Sequence, residues 1–412
     1  MKLLQATTVL TGRPNEFIEN GEVLIDGATI KAVGPRGSCP VDGGVEVVDL
    51  TGCTVMPGMI DSHVHLGFDR SVVPTTHLSK ESNPHLILRM AENARKLLSA
   101  GVTTARDLGG RDFLEVELRD AIEAGLAVGP HLVVATRPIT NSGGHCWYMG
   151  GEADTPDAIR QVARENLRGG ADCLKIMATG GGMTPVGPPT WKAQFSVDEI
   201  KVVVEEARMR DKHIAAHAHG TAGIRNAAEA GVTTIEHCSF ATQSTTMITA
   251  EPDMDAIGRI IANDVYVCPT VSGILFQMND RFGPGGIDRL LGRLAAMREA
   301  GVQMIAGTDS GFGMAGRENR MDNYAGGLEV FAAAGWDNAS VIEAATILAA
   351  RAIGIDDVTG SLDAGKRADV IAVRGNPLRE LGAVRDLELV MVSGRCVTQG
   401  KVDTTASSGG LV

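Results

Sequence analysis

Two histidines one residue apart, His63 and His65 in the segment MPGMIDSHVHLG, carry the strongest chemical signal in the chain. In a strand, residues two apart face the same side, so both imidazoles can aim a nitrogen at one metal ion. The segment HAHG sets His217 and His219 in the same relation, and their spacing leaves open which of them ligates. His237 and Asp309 add one more nitrogen ligand and a carboxylate that can both ligate and move a proton. Lys175 is the odd member: a plain ammonium has no acceptor and is repelled by cations, so an ion pair with a neighbour such as Asp107 is its simplest role. All ten histidines lie between residues 63 and 237.

These residues share a setting. Four junctions, SAGVTTARD at 99–107, RGGADCLKI at 168–176, EAGVTTIEH at 229–237 and EAGVQMIAGTD at 299–309, each read as a helix stopped by glycine followed by a short apolar strand. Each strand ends at or near a polar residue, namely Asp107, Lys175, His237 or Asp309. That recurrence is the rhythm of a parallel βα barrel, whose catalytic face lies at the C-terminal strand ends. Ser196 with Glu199 predicts a capping box, and Thr155-Pro156 predicts an N-cap followed by proline at the first helical position. With HLVVA, HIAAH, VYVCPT and the His63 segment, eight strands can be counted.

The two ends read differently. Residues 1–57 alternate in period two, with Asp26-Gly27 as a hairpin signal, and strands parted by glycine return beyond Gly360. The expected organisation is therefore a (β/α)8 TIM-like barrel over 58–357 and a small β-sandwich domain joining 1–57 to 358–412.

Composition sets the bounds. A chain of 412 residues with 44% hydrophobic and 21% charged residues is an ordinary globular α/β protein. A formal charge of −12 with no basic stripe argues against nucleic acid or an anionic membrane as partner. No apolar run is long enough to span a bilayer, and MKLLQATTVLTG reads as a first strand rather than a leader. Seven scattered cysteines without a CxxC pair suit a reduced, cytoplasmic chain. ATGGGMTP is glycine-rich but has no Walker lysine, so it provides backbone room rather than a phosphate cradle.

PGMIDSHVH, LKIMATGGG, AAHAHG, TIEH, AGTDSG and GSLDAGKRADVIAV together resemble the amidohydrolase superfamily over essentially the whole chain. The resemblance points to its binuclear branch of Xaa-Pro and Xaa-Arg dipeptidase-like enzymes, with imidazolonepropionase more distant. It implies two divalent ions, zinc being expected: His63, His65 and Asp309 on the buried one, His217 and His237 on the other. It further implies that Lys175 bridges them after reaction with carbon dioxide, as an N6-carboxylysine. The implied chemistry is cleavage of a C–N amide-type bond by a metal-bridging hydroxide, with Asp309 as proton shuttle and a homo-oligomer as the assembly. His145 in NSGGHCWY matches an element that contacts substrate in that branch, and Trp147 and Tyr148 beside it could line the pocket. A deaminase of the superfamily would need a glutamate three residues after the strand-five histidine, where this chain has Gly220.

The substrate is less defined. Dipeptidase-like relatives carry a His-Gly element after the strand-eight aspartate, whereas SGFGMAGRENRMDNYAGG contains no histidine. A dipeptide, an N-acyl amino acid, a carbamate or phenylurea, and a cyclic amide or lactone all stay open. Arg317 and Arg320 in that stretch could hold a substrate carboxylate by paired hydrogen bonds.

Overall fold

The first four strands, β1 (Lys2–Leu10), β2 (Phe17–Asp26), β3 (Thr29–Pro35) and β4 (Glu46–Pro57), lead directly into the barrel. The structure, a computed structural model, describes residues 1–399 apart from 42, 72–77, 185, 278–282, 284, 315 and 316. The barrel strands are β5 (Met59–Val64), β6 (Val102–Asp107), β7 (His131–Val134), β8 (Cys173–Met177), β9 (His213–Gly220), β10 (Thr234–Ala241) and β11 (Tyr266–Cys268). Two short strands, β12 (Gly313–Met314) and β13 (Arg317–Glu318), form a hairpin after the barrel. β14 (Val370–Arg374), β15 (Leu387–Val392) and β16 (Arg395–Gln399) complete the order. The expected end of the small domain, 400–412, lies outside the described residues.

The chain ends meet in one sheet. Its strand order is β16-β15-β14-β4-β1-β2-β3, so the expected sandwich is built from a single continuous sheet. β4 is the reason: it pairs in parallel with β1 and antiparallel with β14, joining the N-terminal and C-terminal strands edge to edge. The Asp26-Gly27 signal forms the expected hairpin, with Asp26 opposite Thr29 and Gly27 at φ +56°, a left-handed conformation that glycine adopts without strain. Leu4, Ala6, Val23, Ile25, Val55, Val370, Ala372, Leu389 and Met391 form a core on one side, while Leu3, Leu24 and Cys39 pack on the other.

The barrel has eight strand positions. β5-β6-β7 and β8-β9-β10-β11 are parallel runs. Single bonds close the gap between them, from Asp172 N to Val134 O (2.8 Å) and from Ile139 N to Lys175 O (2.8 Å). Residues 303–309 take the eighth position, bonding to β11 through Ile305 N–Val267 O (2.9 Å) and to β5 through Ser62 N–Ala306 O (3.0 Å) and Asp309 N–His63 O (2.7 Å). This last segment is an irregular strand with a crowded path. A Cβ on Gly307 would lie 2.4 Å from Cys268 Sγ and 3.0 Å from His63 N.

The four junction glycines, Gly101, Gly170, Gly231 and Gly301, all have φ between +78° and +99°. This is the left-handed turn that ends a helix and redirects the chain into the next strand. Helix starts follow the expected chemistry: Ser196 and Glu199 form a reciprocal capping box, and the Thr155 side chain caps the helix Pro156–Arg168. Among the described residues, no helix is long and apolar enough to cross a membrane.

Candidate metal centre

β5 presents His63 and His65 inward, with their Nε2 atoms 3.4 Å apart. His63 Nδ1 donates to Glu236 (2.8 Å) and His65 Nδ1 donates to the Gly109 carbonyl (3.0 Å). Those bonds place the ring protons on Nδ1 and leave both Nε2 lone pairs facing the same space. Asp309 Oδ1 lies 3.6 Å and 3.5 Å from the two nitrogens, so these three side chains offer donor atoms within 4.8 Å of one another.

The second group comes from β9 and β10. His217, His219 and His237 also bring donor atoms within 4.8 Å. His219 is tied through Nδ1 to Ser239 Oγ (2.8 Å), His237 through Nδ1 to Thr270 Oγ1 (2.7 Å), and His217 Nε2 lies 3.2 Å from the Gly180 carbonyl. Both HAHG histidines thus sit at the centre. The two groups adjoin, because the His63 and His237 rings are 5.3 Å apart.

Backbone strain aims several of these groups. His237, Cys238, Phe240, Thr270 and Asp309 all have φ between +50° and +70°, although none is glycine. Such conformations cost of order 1–3 kcal/mol each and gather at functional strand ends. At His237 the consequence is visible: strand alternation would send Glu236 and His237 to opposite faces, yet both engage the centre.

Lys175 on β8 is 1% exposed, and among the described residues its Nζ has no hydrogen-bond partner. Asp107 is occupied elsewhere, accepting from Leu66 N and Gly109 N (both 3.0 Å). Burial holds the Lys175 amine below its ordinary pKa. Its charge in turn bears on His63, His65, His145, His217, His219, His237 and Asp309. Burial keeps the imidazoles neutral and ready to ligate, pushing His63 down to about 4 and His219 to about 3. The same desolvation raises Asp309 to about 7.

Divalent cations fit this arrangement. Five neutral imidazoles and a carboxylate are concentrated where water is scarce, and Lys175 Nζ and Asp309 Oδ1 are buried without hydrogen-bond partners among the described residues. Such orphaned atoms are rare in a folded chain; a bound cation would satisfy the Asp309 oxygen directly, whereas the Lys175 amine could join it only after losing its positive charge.

His145 lies beside this centre, its ring centroid 4.4 Å from that of His217. Thr184 Oγ1 accepts from Cys146 N (2.8 Å), so its own proton can go to His145 Nδ1 (2.8 Å). His145 Nε2 is then the protonated nitrogen and can donate. Tyr148 is partly buried, its hydroxyl 3.4 Å from Cys146 Sγ. Of the two candidate arginines, Arg320 is bound at two points to Asp322 (2.8 and 2.6 Å) with its side chain 56% exposed. Arg317 lies in β13, on the hairpin that Gly313 N ties to Ser71 O (2.7 Å).

Sequence reasoning missed Glu236 and Arg106, both fully buried beneath His63. Glu236 Oε1 accepts from Arg106 (2.9 Å). Burial alone would raise the Glu236 carboxyl, but Arg106 and the His63 contact hold it below the ordinary carboxylate range. The one available signal was its place beside His237 in TIEH.

Known proteins share this architecture. Ochratoxinase of Aspergillus niger is 28% identical over 364 residues, covering 82% of this chain and 73% of its own. A Xaa-Pro dipeptidase solved with methionine bound in its active site superposes with a TM-score of 0.83 at 26% identity, covering 97% of this chain and 100% of its own. A prolidase complexed with N-methylphosphonate-L-proline gives 0.81 at 28% identity, covering 97% and 99%. The pattern of the amidohydrolase family matches residues 54–397, from the end of β4 through the barrel to β16. A match across that span, on a barrel whose strand ends gather histidines, a lysine and an aspartate, means that the chain belongs to the amidohydrolase family, as a hydrolase of carbon–nitrogen bonds.

Proposed function

We propose that this protein is a binuclear metal-dependent hydrolase of small amides bearing an amino-acid part, such as a dipeptide or an N-acyl amino acid. The carrying observation is the buried Lys175 Nζ, unpartnered among the described residues, in a barrel whose His63–His65–Asp309 and His217–His219–His237 groups each bring donor atoms together. In this reading His63, His65 and Asp309 hold one ion, His217 and His237 hold the other, and Lys175 joins them as a carboxylated lysine. His219 supports His237, against which its ring stacks at 4.4 Å. Two divalent ions, with zinc the expected metal, supply Lewis acidity that activates water and polarises a carbonyl.

The side chains divide the remaining work. Asp309 would accept a proton from the attacking water and deliver it to the leaving nitrogen, a role open to a buried carboxylate that lies 3.6 Å and 3.5 Å from the two β5 imidazoles. His145 donates from Nε2 to the carbonyl oxygen, since Thr184 occupies its Nδ1. The amino-acid part of the substrate rests on two relatives, the dipeptidase that binds methionine and the prolidase that binds a proline phosphonate. The reading also places the catalytic barrel at 58–357 and the small domain at 1–57 and 358–412, in a cytoplasmic homo-oligomer.

The test is metal analysis with a hydrolysis screen over dipeptides, N-acyl amino acids, carbamates and lactones. We expect two ions per chain, loss of activity on chelation, and turnover of the first two classes. His145→Asn should lower kcat/KM by about 10- to 1000-fold with metal content unchanged. Full activity in metal-depleted protein would overturn the reading.

A further inference from the structure

Beneath the histidine centre lies a second buried cluster in the barrel interior. Glu236 on β10 and Arg106 on β6 are both 0% exposed. Glu236 Oε2 accepts from His63 Nδ1 (2.8 Å), and Oε1 accepts from Arg106 (2.9 Å) and from the Thr234 hydroxyl. Arg106 is held in turn, donating from Nε to Ser62 O (2.7 Å) and from a terminal nitrogen to Thr234 Oγ1 (3.1 Å). Both carboxylate oxygens are thus occupied, and every partner of Glu236 is anchored to a barrel strand.

We propose that Glu236, clamped by Arg106 and Thr234, is a positioning residue that fixes the His63 ring for metal binding, an inference that rests on the proposed metal centre. The bond to Nδ1 holds one tautomer, the one with its Nε2 lone pair facing His65 and Asp309. A carboxylate behind an imidazole also makes that imidazole a stronger donor, and such partners typically contribute 10- to 100-fold in metal affinity. The clamp prevents rotation: Glu236 cannot leave His63 without leaving the Arg106 guanidinium uncompensated in the barrel.

Glu236 has a second geometric possibility, since its carboxylate, His63 and the Cys268 thiol also bring donor atoms within 4.8 Å. A cation there is opposed by the Arg106 guanidinium on the same carboxylate, and burial keeps the Cys268 thiol protonated. The positioning role is the one this charge arrangement allows.

The test uses the full-length, zinc-loaded protein in competition with a chromogenic zinc chelator, comparing the parent with Glu236→Gln. We expect one of the two zinc equivalents to be released with about 10- to 100-fold weaker affinity, the other being unchanged. A purely structural role would instead lower the metal-free melting temperature and leave both affinities alone. Should Glu236→Gln not fold, the Arg106→Met/Glu236→Gln pair removes both charges together and should show the same selective loss. Parental affinity for both zinc ions in either folded variant overturns the proposal. A parent that binds fewer than two zinc ions would overturn the metal-centre reading itself.

Discussion

Replacing Lys175 by methionine separates two effects with opposite signs. In the metal-free protein the Lys175 Nζ is buried without a hydrogen-bond partner among the described residues, and burial depresses its pKa. Leaving such a polar group unsatisfied costs about 1–3 kcal/mol, whereas a methionine of similar length fills the space with no polar head. Metal-free Lys175→Met should therefore be more stable than the parent, by roughly 1–4 °C in Tm for a chain of this size. Zinc reverses the order. A site present at about 100 times its Kd adds about 2.7 kcal/mol, so losing the proposed shared ligand should remove a stabilisation of that order. Activity should fall by orders of magnitude, because an isolated ion loses its second Lewis acid. Calorimetry of metal-free and zinc-loaded protein, with metal analysis on the same samples, reads both effects. In the parent, bicarbonate should speed recovery of activity when zinc is restored. A metal-free variant less stable than the parent would mean that Nζ makes a stabilising contact. A variant that keeps two metals and near-parental turnover would refute the shared-ligand role.

Three further outcomes follow from the same geometry. A Cβ at Gly181 would sit 2.2 Å from His145 Nε2, so Gly181→Ala should displace that ring. It should lower kcat/KM by about 10- to 1000-fold while metal content stays parental, and unchanged kinetics would detach His145 from the substrate. Burial raises Asp309 to about 7 in the metal-free protein, so this group stabilises the fold at low pH and loses that contribution as pH rises through about 7. Zinc must displace the proton, so calorimetric titrations near pH 6 should show at least one proton released and an affinity that falls by at least about tenfold per pH unit below 7. His63 at about 4 and His219 at about 3 add no competing protons there, and an affinity flat from pH 5 to 8 would contradict the desolvation of Asp309. Arg320 is exposed and held by Asp322, so Arg320→Ala should change stability and transition-state binding by less than about 1 kcal/mol for carboxylates and their methyl esters alike. A selective loss on carboxylates would return Arg320 to the substrate site.

Much of the fold was legible because it is written in local backbone chemistry. Gly101, Gly170, Gly231 and Gly301 mark helix ends because each adopts the left-handed turn that a side chain disfavours, and Ser196 with Glu199 marks a helix start by satisfying free amides. The His63–His65 pair was legible because period two is a property of any strand. Which side chains meet across the barrel was not. His63 and Glu236 are 173 residues apart, and Asp61 reaches Thr308 across 247. Contacts of that kind exist only once the strands close into a barrel. Alternation also misleads where the backbone leaves the β region, as it does at His237 and Asp309, and those turns let Glu236 and His237 both serve the centre. The spacing of His217 and His219 could not choose between them, and the closed barrel brings both histidines beside His237. Arg320 was a candidate carboxylate anchor by residue type and loop, and only the folded structure shows its guanidinium paired with Asp322. Sequence determined the residue types and the local turns; tertiary closure decided which of them share a dry space, because burial and pairing depend on elements far apart in the chain.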